Sequence, residues 1–176
     1  MGHWNTRRFK LFLGALQRMK LIAHRGNTDG PNPLNENSPE YIDSAISRGF
    51  DVEVDIWYDT FEKNFYLGHD DPQYVVTPYW LAQRMDNLWI HCKNLDALYE
   101  FANNRGGYNY FWHQTDNFTL TNNNYIWTYP GQPYTPRSII VMPESGMRHE
   151  ELEKLVDFKA YNCYAICSDY VEYLNV

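Results

Sequence analysis

Glu53 and Asp55 stand two residues apart in DVEVDIW, with His24-Arg25-Gly26 before them and His69-Asp70 and His91-Cys92-Lys93 after them. Acids, imidazoles and cations in this mixture serve metal binding, proton transfer and the holding of an oxyanion. Side chains two apart on a strand leave the same face, so Glu53 and Asp55 are expected side by side. Two unpaired carboxylates repel there, and one is driven to keep its proton. A divalent cation such as Mg2+ or Ca2+, which takes carboxylate oxygens, removes the conflict. His91 and Lys93 also share a face, which makes His91 a candidate third metal ligand and Lys93 a fixed charge for a phosphoryl oxygen. Arg25 brings the planar fork that suits phosphate. His24 and His69 form a pair able to exchange a proton near neutral pH.

Alone, an E-x-D strand reads as a solvated edge or a salt bridge, and a strand-end histidine as structural. The information lies in the order HR, E-x-D, HD, H-x-K, each at the end of a predicted strand. Strand-like runs are expected at 21–25, 51–57, 64–69, 88–93, 109–114, 125–129, 138–144 and 164–170. Ser38-Pro39 caps a helix running to Arg48, and Thr77-Pro78 starts another that ends near Met85. Further helical stretches are expected from Asn94 or Leu95 to Asn104 and over 149–158.

Strands alternating with helices imply a parallel α/β sheet. Eight of them predict a compact (β/α)8 TIM-like barrel, although such barrels typically need ~250 residues. Helices must therefore be reduced, several giving way to bare loops; a doubly wound open sheet is the alternative. In the barrel all strand ends named above open on one face. The link YDTFEK at 58–63 is too short for a parallel crossover and predicts a β-hairpin between the second and third strands. Centred near Phe61, that hairpin puts His69 opposite Glu53.

The chain has 176 residues, enough for a core and suited to one domain. Residues 21–176 are assigned to the barrel. Residues 1–20 form an N-terminal extension, where Phe9, Phe12 and Leu16 have helical spacing. Its apolar patch LFLGAL is too short for a secretory core or a bilayer span, so no stable membrane insertion is expected, with surface docking as the alternative. Hydrophobic residues at 44% and aromatic residues at 17% exclude disorder, and a formal charge of −7 argues against nucleic acid as a partner. Cys92, Cys163 and Cys167 lack metal-type spacing and read as reduced thiols of a cytoplasmic protein. Asp70-Asp71-Pro72 reads as a turn rather than a second metal site.

In the second half, FWHQTDNFTLT and YIWTYPG place Trp112, His113, Asp116, Trp127 and Tyr129 around two strand ends. These residues line a substrate mouth, or the aromatics among them fill the interior. Trp112 reads as core, and His113, Gln114 and Trp127 are the candidates for substrate contact. Glu144, Ser168 and Asp169 hold similar strand-end positions and read as bonding to the rim.

LIAHRG, NENSPEYIDSAISRGFDVEVDIW and NFYLGHD together resemble the glycerophosphodiester phosphodiesterase family, within the barrel group that includes phosphatidylinositol-specific phospholipases C. The matching motifs are His24-Arg25-Gly26, Glu36-Asn37-Ser38, Glu53/Asp55 and His69-Asp70, all within residues 21–71. Past residue 100 the likeness is one of strand rhythm. The resemblance implies His24 and His69 as the acid–base pair, Arg25 and Lys93 as holders of the phosphodiester, and Glu53 and Asp55 as metal ligands for Mg2+ or Ca2+. It departs at His91, which stands where a metal-binding Glu is expected; a nitrogen donor favours ions such as Mn2+ or Zn2+. The implied activity is hydrolysis of a small soluble phosphodiester rather than an intact lipid. A lyase releasing a cyclic phosphate and a non-catalytic barrel that binds a phosphoryl ligand are the alternatives.

Overall fold

The structure, a computed structural model, describes residues 19–103 and 106–175. The N-terminal helix expected around Phe9, Phe12 and Leu16 lies outside them.

The elements run β1 (Lys20–His24), α1 (Pro39–Ser47), β2 (Asp51–Asp59), β3 (Asn64–Leu67), β4 (Tyr74–Val76), α2 (Pro78–Ala82), β5 (Leu88–Cys92), α3 (Leu95–Asn103), β6 (Asn109–Phe111), β7 (Phe118–Leu120), β8 (Ile126–Thr128), β9 (Ser138–Val141) and β10 (Ala165–Ser168). A 3-10 helix at His149–Ala160 leads into β10, and a second, Val171–Leu174, follows it. Each of the eight anticipated runs contains a strand. Ser38 and Thr77 cap α1 and α2 as their sequence signals require, accepting from the backbone N–H of Tyr41 and Trp80.

All the strands join one ten-stranded mixed sheet. β6, β5, β2, β1, β10, β9 and β8 pair successively in parallel, while β3, β4 and β7 are added antiparallel. The sheet curls but does not become the expected (β/α)8 TIM-like barrel. β6 has β5 as its strand partner, β8 turns to β7 and β9, and no ladder joins β6 to β8. Only three α-helices occur among the described residues, so strands and helices do not alternate around it. Between β6 and β8, residues 112–125 form no helix; Phe118–Leu120 fold back as β7 and take the edge of β8 that a closing strand would need.

One side chain spans the seam. Asn122 accepts from Tyr110 N at 2.8 Å and donates to Tyr108 O at 2.8 Å, while its own N–H reaches Tyr110 O at 3.1 Å. An amide thus stands in for the missing ladder, and Phe111 stacks on Trp127 beneath it at 4.3 Å. Asn122→Ala is expected to lower stability by about 1–2 kcal/mol, the scale of two modest hydrogen bonds, read as a lower denaturant midpoint at unchanged slope. An unchanged midpoint would show that ring stacking alone holds the seam.

The alternation along β2 sorts its side chains. Val52, Val54 and Ile56 face an outer apolar layer with Ile42 and Ala45 of α1 and Ala97 and Phe101 of α3. Asp51, Glu53 and Asp55 therefore face inward, where Ile22, Trp89, Phe111, Trp127, Ile139 and Cys167 form an inner apolar layer. Asp51, at the start of the strand, is neutralised by Lys20 at 2.6 Å and accepts from the Trp89 indole N–H at 3.0 Å. Glu53 and Asp55 lie further along, at the open end.

β2 and β3 form the expected hairpin, with a register one residue from expectation. Ile56 pairs with Leu67 and Tyr58 with Phe65. Asp59 accepts from the N–H groups of Phe61 and Glu62, both at 2.8 Å, and Lys63 takes a left-handed φ of 58°. That wider turn moves the centre past Phe61. The ladder ends at Leu67, so His69 is not opposite Glu53. It returns to the open end through Gly68, whose φ of +145° and near contact with the Asp71 carbonyl leave no space for a Cβ.

Candidate active site

Glu53 and Asp55 are 2% and 0% exposed, and their surroundings differ. Asp55 Oδ2 accepts from Asn37 Nδ2 at 3.0 Å and pairs electrostatically with Arg25 Nε at 3.0 Å, an approach without hydrogen-bond alignment. Asp55 Oδ1 faces His91 Nδ1 at 3.0 Å and Lys93 Nζ at 3.4 Å, yet neither approach has hydrogen-bond alignment, and the atom is buried without a bonded partner. Burial works against the Asp55 carboxylate, but His91, Arg25 and Lys93 outweigh it and hold its pKa below the ordinary value. Glu53 shows the opposite outcome. Burial, then the charge of Asp55, raises its pKa against the weaker pull of His24, His91 and Arg25.

His91 has a fixed orientation. Its ring stacks on Phe111 with planes 7° apart. Its Nε2 lies 2.8 Å from the His113 carbonyl, which only accepts, so the proton on that nitrogen is assigned. Nδ1 is left toward Glu53 Oε1 at 3.7 Å and Asp55 Oδ1 at 3.0 Å. Ligand atoms of Glu53, Asp55 and His91 all lie within 4.8 Å of one another. An octahedral ion with bonds near 2.1 Å places neighbouring donors about 3 Å apart; the His91–Asp55 pair at 3.0 Å matches that spacing, and Glu53, 3.7 Å from His91, closes on the ion by a small side-chain shift. The unbonded Asp55 Oδ1 and a His91 ring backed by a carbonyl are features of such a site. The oxygen and nitrogen donors suit Mg2+ or Mn2+, and Zn2+ less fully.

His24 ends β1 beside this cluster. Its Nδ1 bonds Asp169 Oδ1 at 2.8 Å, and its Nε2 lies 3.9 Å from Glu53 Oε2. Burial opposes the imidazolium, but the Asp169 bond and the charges of Glu53 and Asp169 prevail and raise the pKa above 6.5. Asp169 is itself held by Asn27 Nδ2 at 2.8 Å, and its N–H donates to Glu144 Oε1 at 2.8 Å. Arg25 takes a left-handed φ of 53° and bonds Glu36 at 3.1 Å, a strained conformation of the kind that collects at functional sites.

No family model, curated protein or solved structure matches this chain. The site is therefore read from its own geometry.

His24, Arg25, His69, His91 and Lys93 border one cavity of about 490 Å³. His69 enters from the loop after β3, its Nδ1 on Asp70 at 2.6 Å; burial, then Arg25 and Lys93, lowers its pKa. His113, Gln114, Trp112 and Tyr129 form the far wall. Trp127 also borders the cavity but is 4% exposed and belongs to the inner layer. Trp112 packs on the outer layer and borders the cavity as well. Asp116 is exposed and does not border it.

Asp169, Asn27 and Asn37 were not singled out as site residues by the sequence. Asp169 had a signal, since it continues the inward series Ala165 and Cys167 to the same end of the sheet. Asn37 had only its place in the Glu36-Asn37-Ser38 motif. All three cysteines are free, and no described helix is long and apolar enough to cross a membrane.

Proposed function

We propose that this protein is a metal-dependent phosphodiesterase acting on a small, glycerophosphodiester-like substrate. The observation that carries the reading is one cavity bordered by His24, His69, Arg25 and Lys93 beside the Glu53, Asp55 and His91 donors. The resemblance of residues 21–71 to the glycerophosphodiester phosphodiesterase family agrees with it.

Arg25 and Lys93 hold the non-bridging phosphoryl oxygens, their positive charge matched to the charge that grows in the transition state. A divalent cation held by Glu53, Asp55 and His91 supplies further neutralisation at a phosphoryl oxygen when bound. His24 and His69 divide the proton transfers. One accepts the proton of the attacking water as the new P–O bond forms, and the other protonates the departing alkoxide as the old P–O bond breaks. The products are a phosphomonoester and an alcohol. Asp169 keeps the His24 ring in place and its Nε2 turned toward Glu53.

Hydrolysis of a chromogenic phosphodiester is expected to require a divalent ion, to vanish with chelator and to return with Mn2+ or Mg2+. Turnover indifferent to chelator would overturn the metal-dependent reading. One observation favours a second reading, a binder of phosphoryl ligands without turnover: Asp55 already has Arg25 and Lys93 as counter-charges. Binding of inorganic phosphate with no turnover on a panel of diesters, metal present, would select it.

A further inference from the structure

A second cavity adjoins the first. It measures about 390 Å³, and His24, Arg25, His69 and Met142 border both. The groups assigned to the phosphoryl centre thus stand between two chambers. That layout suits a diester, whose two ester arms leave a tetrahedral phosphorus in different directions, more than a monoester with one arm.

The chambers differ in chemistry. The larger is walled by Trp112 and Tyr129, with the His113 ring and Gln114 amide beside them. Tyr129 packs on His113 with centroids 5.7 Å apart and still keeps 48% of its surface exposed. Such a wall rewards a ring laid against it and hydrogen-bonds hydroxyls at the ring's edge. The smaller chamber has no aromatic wall. Pro31 and Pro33 stiffen one side, and Glu36, Asp70 and Gln73 offer acceptors. Short hydroxylated chains donate to such groups, and the smaller volume suits them.

We infer that the substrate is an unsymmetrical phosphodiester, with a carbohydrate-type ring alcohol in the aromatic chamber and a short acyclic polyol in the smaller one. This rests on the phosphodiester reading above and adds the identity and direction of the two arms. Arg25 and Lys93 sit at the phosphoryl group, and Tyr129 and Trp112 select the ring.

The test separates selection from turnover by measuring binding in a His24→Ala protein, with Mn2+ present. Two synthetic ligands share a glycerol arm: a hexose-1-phosphoglycerol and a bis-glycerol phosphate. Calorimetry is expected to show the hexose diester binding about tenfold more tightly, the scale of one aromatic contact. Adding Tyr129→Ala should erase that preference, whereas Tyr129→Phe, which keeps the ring, should preserve it. Equal affinity of the two diesters, binding of neither, or a preference untouched by Tyr129→Ala would overturn the inference. The chelator assay judges the phosphodiesterase reading independently, on wild-type protein.

Discussion

Asp55→Asn is expected to destabilise the protein by about 3–5 kcal/mol, whereas Glu53→Gln is expected to leave the metal-free protein at least as stable at pH 7. The two acids sit two residues apart on one strand, and both substitutions remove one charge. Asp55, however, is the counter-charge of Arg25 and Lys93, and removing one partner of a buried ion pair costs on that scale because the others stay uncompensated. Glu53 is charged at the expense of folding. Its folded pKa is raised above 4.5 by burial and by Asp55, so its contribution is present at low pH and lost as pH rises through the folded value. Asp55 is lowered below 3.8, so its contribution is present at neutral pH and lost on acidification. Denaturant midpoints of the two variants across pH check this, and a similar loss from both at pH 7 would refute the distinction. Wild-type protein is expected to gain about 2.7 kcal/mol of stability at a metal concentration one hundred times Kd, and Glu53→Gln to lose most of that gain. An acid retained at a cost to the apo fold is what a binding function predicts.

His24→Ala is expected to lower kcat for the chromogenic diester by 10²–10⁴-fold, the usual worth of a general acid or base, with the metal-induced stabilisation kept. Asp169→Asn tests the positioning role separately. Asn retains an acceptor for His24 Nδ1 and for Asn27 but withdraws the charge that helps to raise the His24 pKa. The pH limb assigned to His24 should move toward lower pH, while KM changes little. A loss of kcat with no movement of the pH profile would reduce Asp169 to packing. If His24→Ala abolishes the metal shift as well, the imidazole is holding the metal cluster together and is not a separate proton-transfer group.

Much of this arrangement is legible in the chain. The period-2 pattern of DVEVDIW dictates that Glu53 and Asp55 share a face, and Ser38-Pro39 and Thr77-Pro78 mark helix starts because cap chemistry is local. The link at 58–63 forces a hairpin by length alone. Its exact register was not legible, because the Asp59 turn and the left-handed Lys63 decide the pairing by one residue, and the ladder ends before His69. β4 and β7 were missed because three-residue strands carry too little pattern and exist through pairing with neighbours.

The sequence by itself determined which side chains lie on common faces and which strand ends carry acids, imidazoles and cations, since backbone periodicity and capping act over a few residues. The tertiary structure alone decided the rest. It joined His24 to Asp169 across 145 positions, and it gave Asp55 the Arg25 and Lys93 cations while leaving Glu53 with none in close contact. It also left the sheet open between β6 and β8, with Asn122 across the seam. Each of these depends on the stagger and curl of parallel strands, which place groups far apart in the chain within a few ångströms and thereby set which buried charge is compensated.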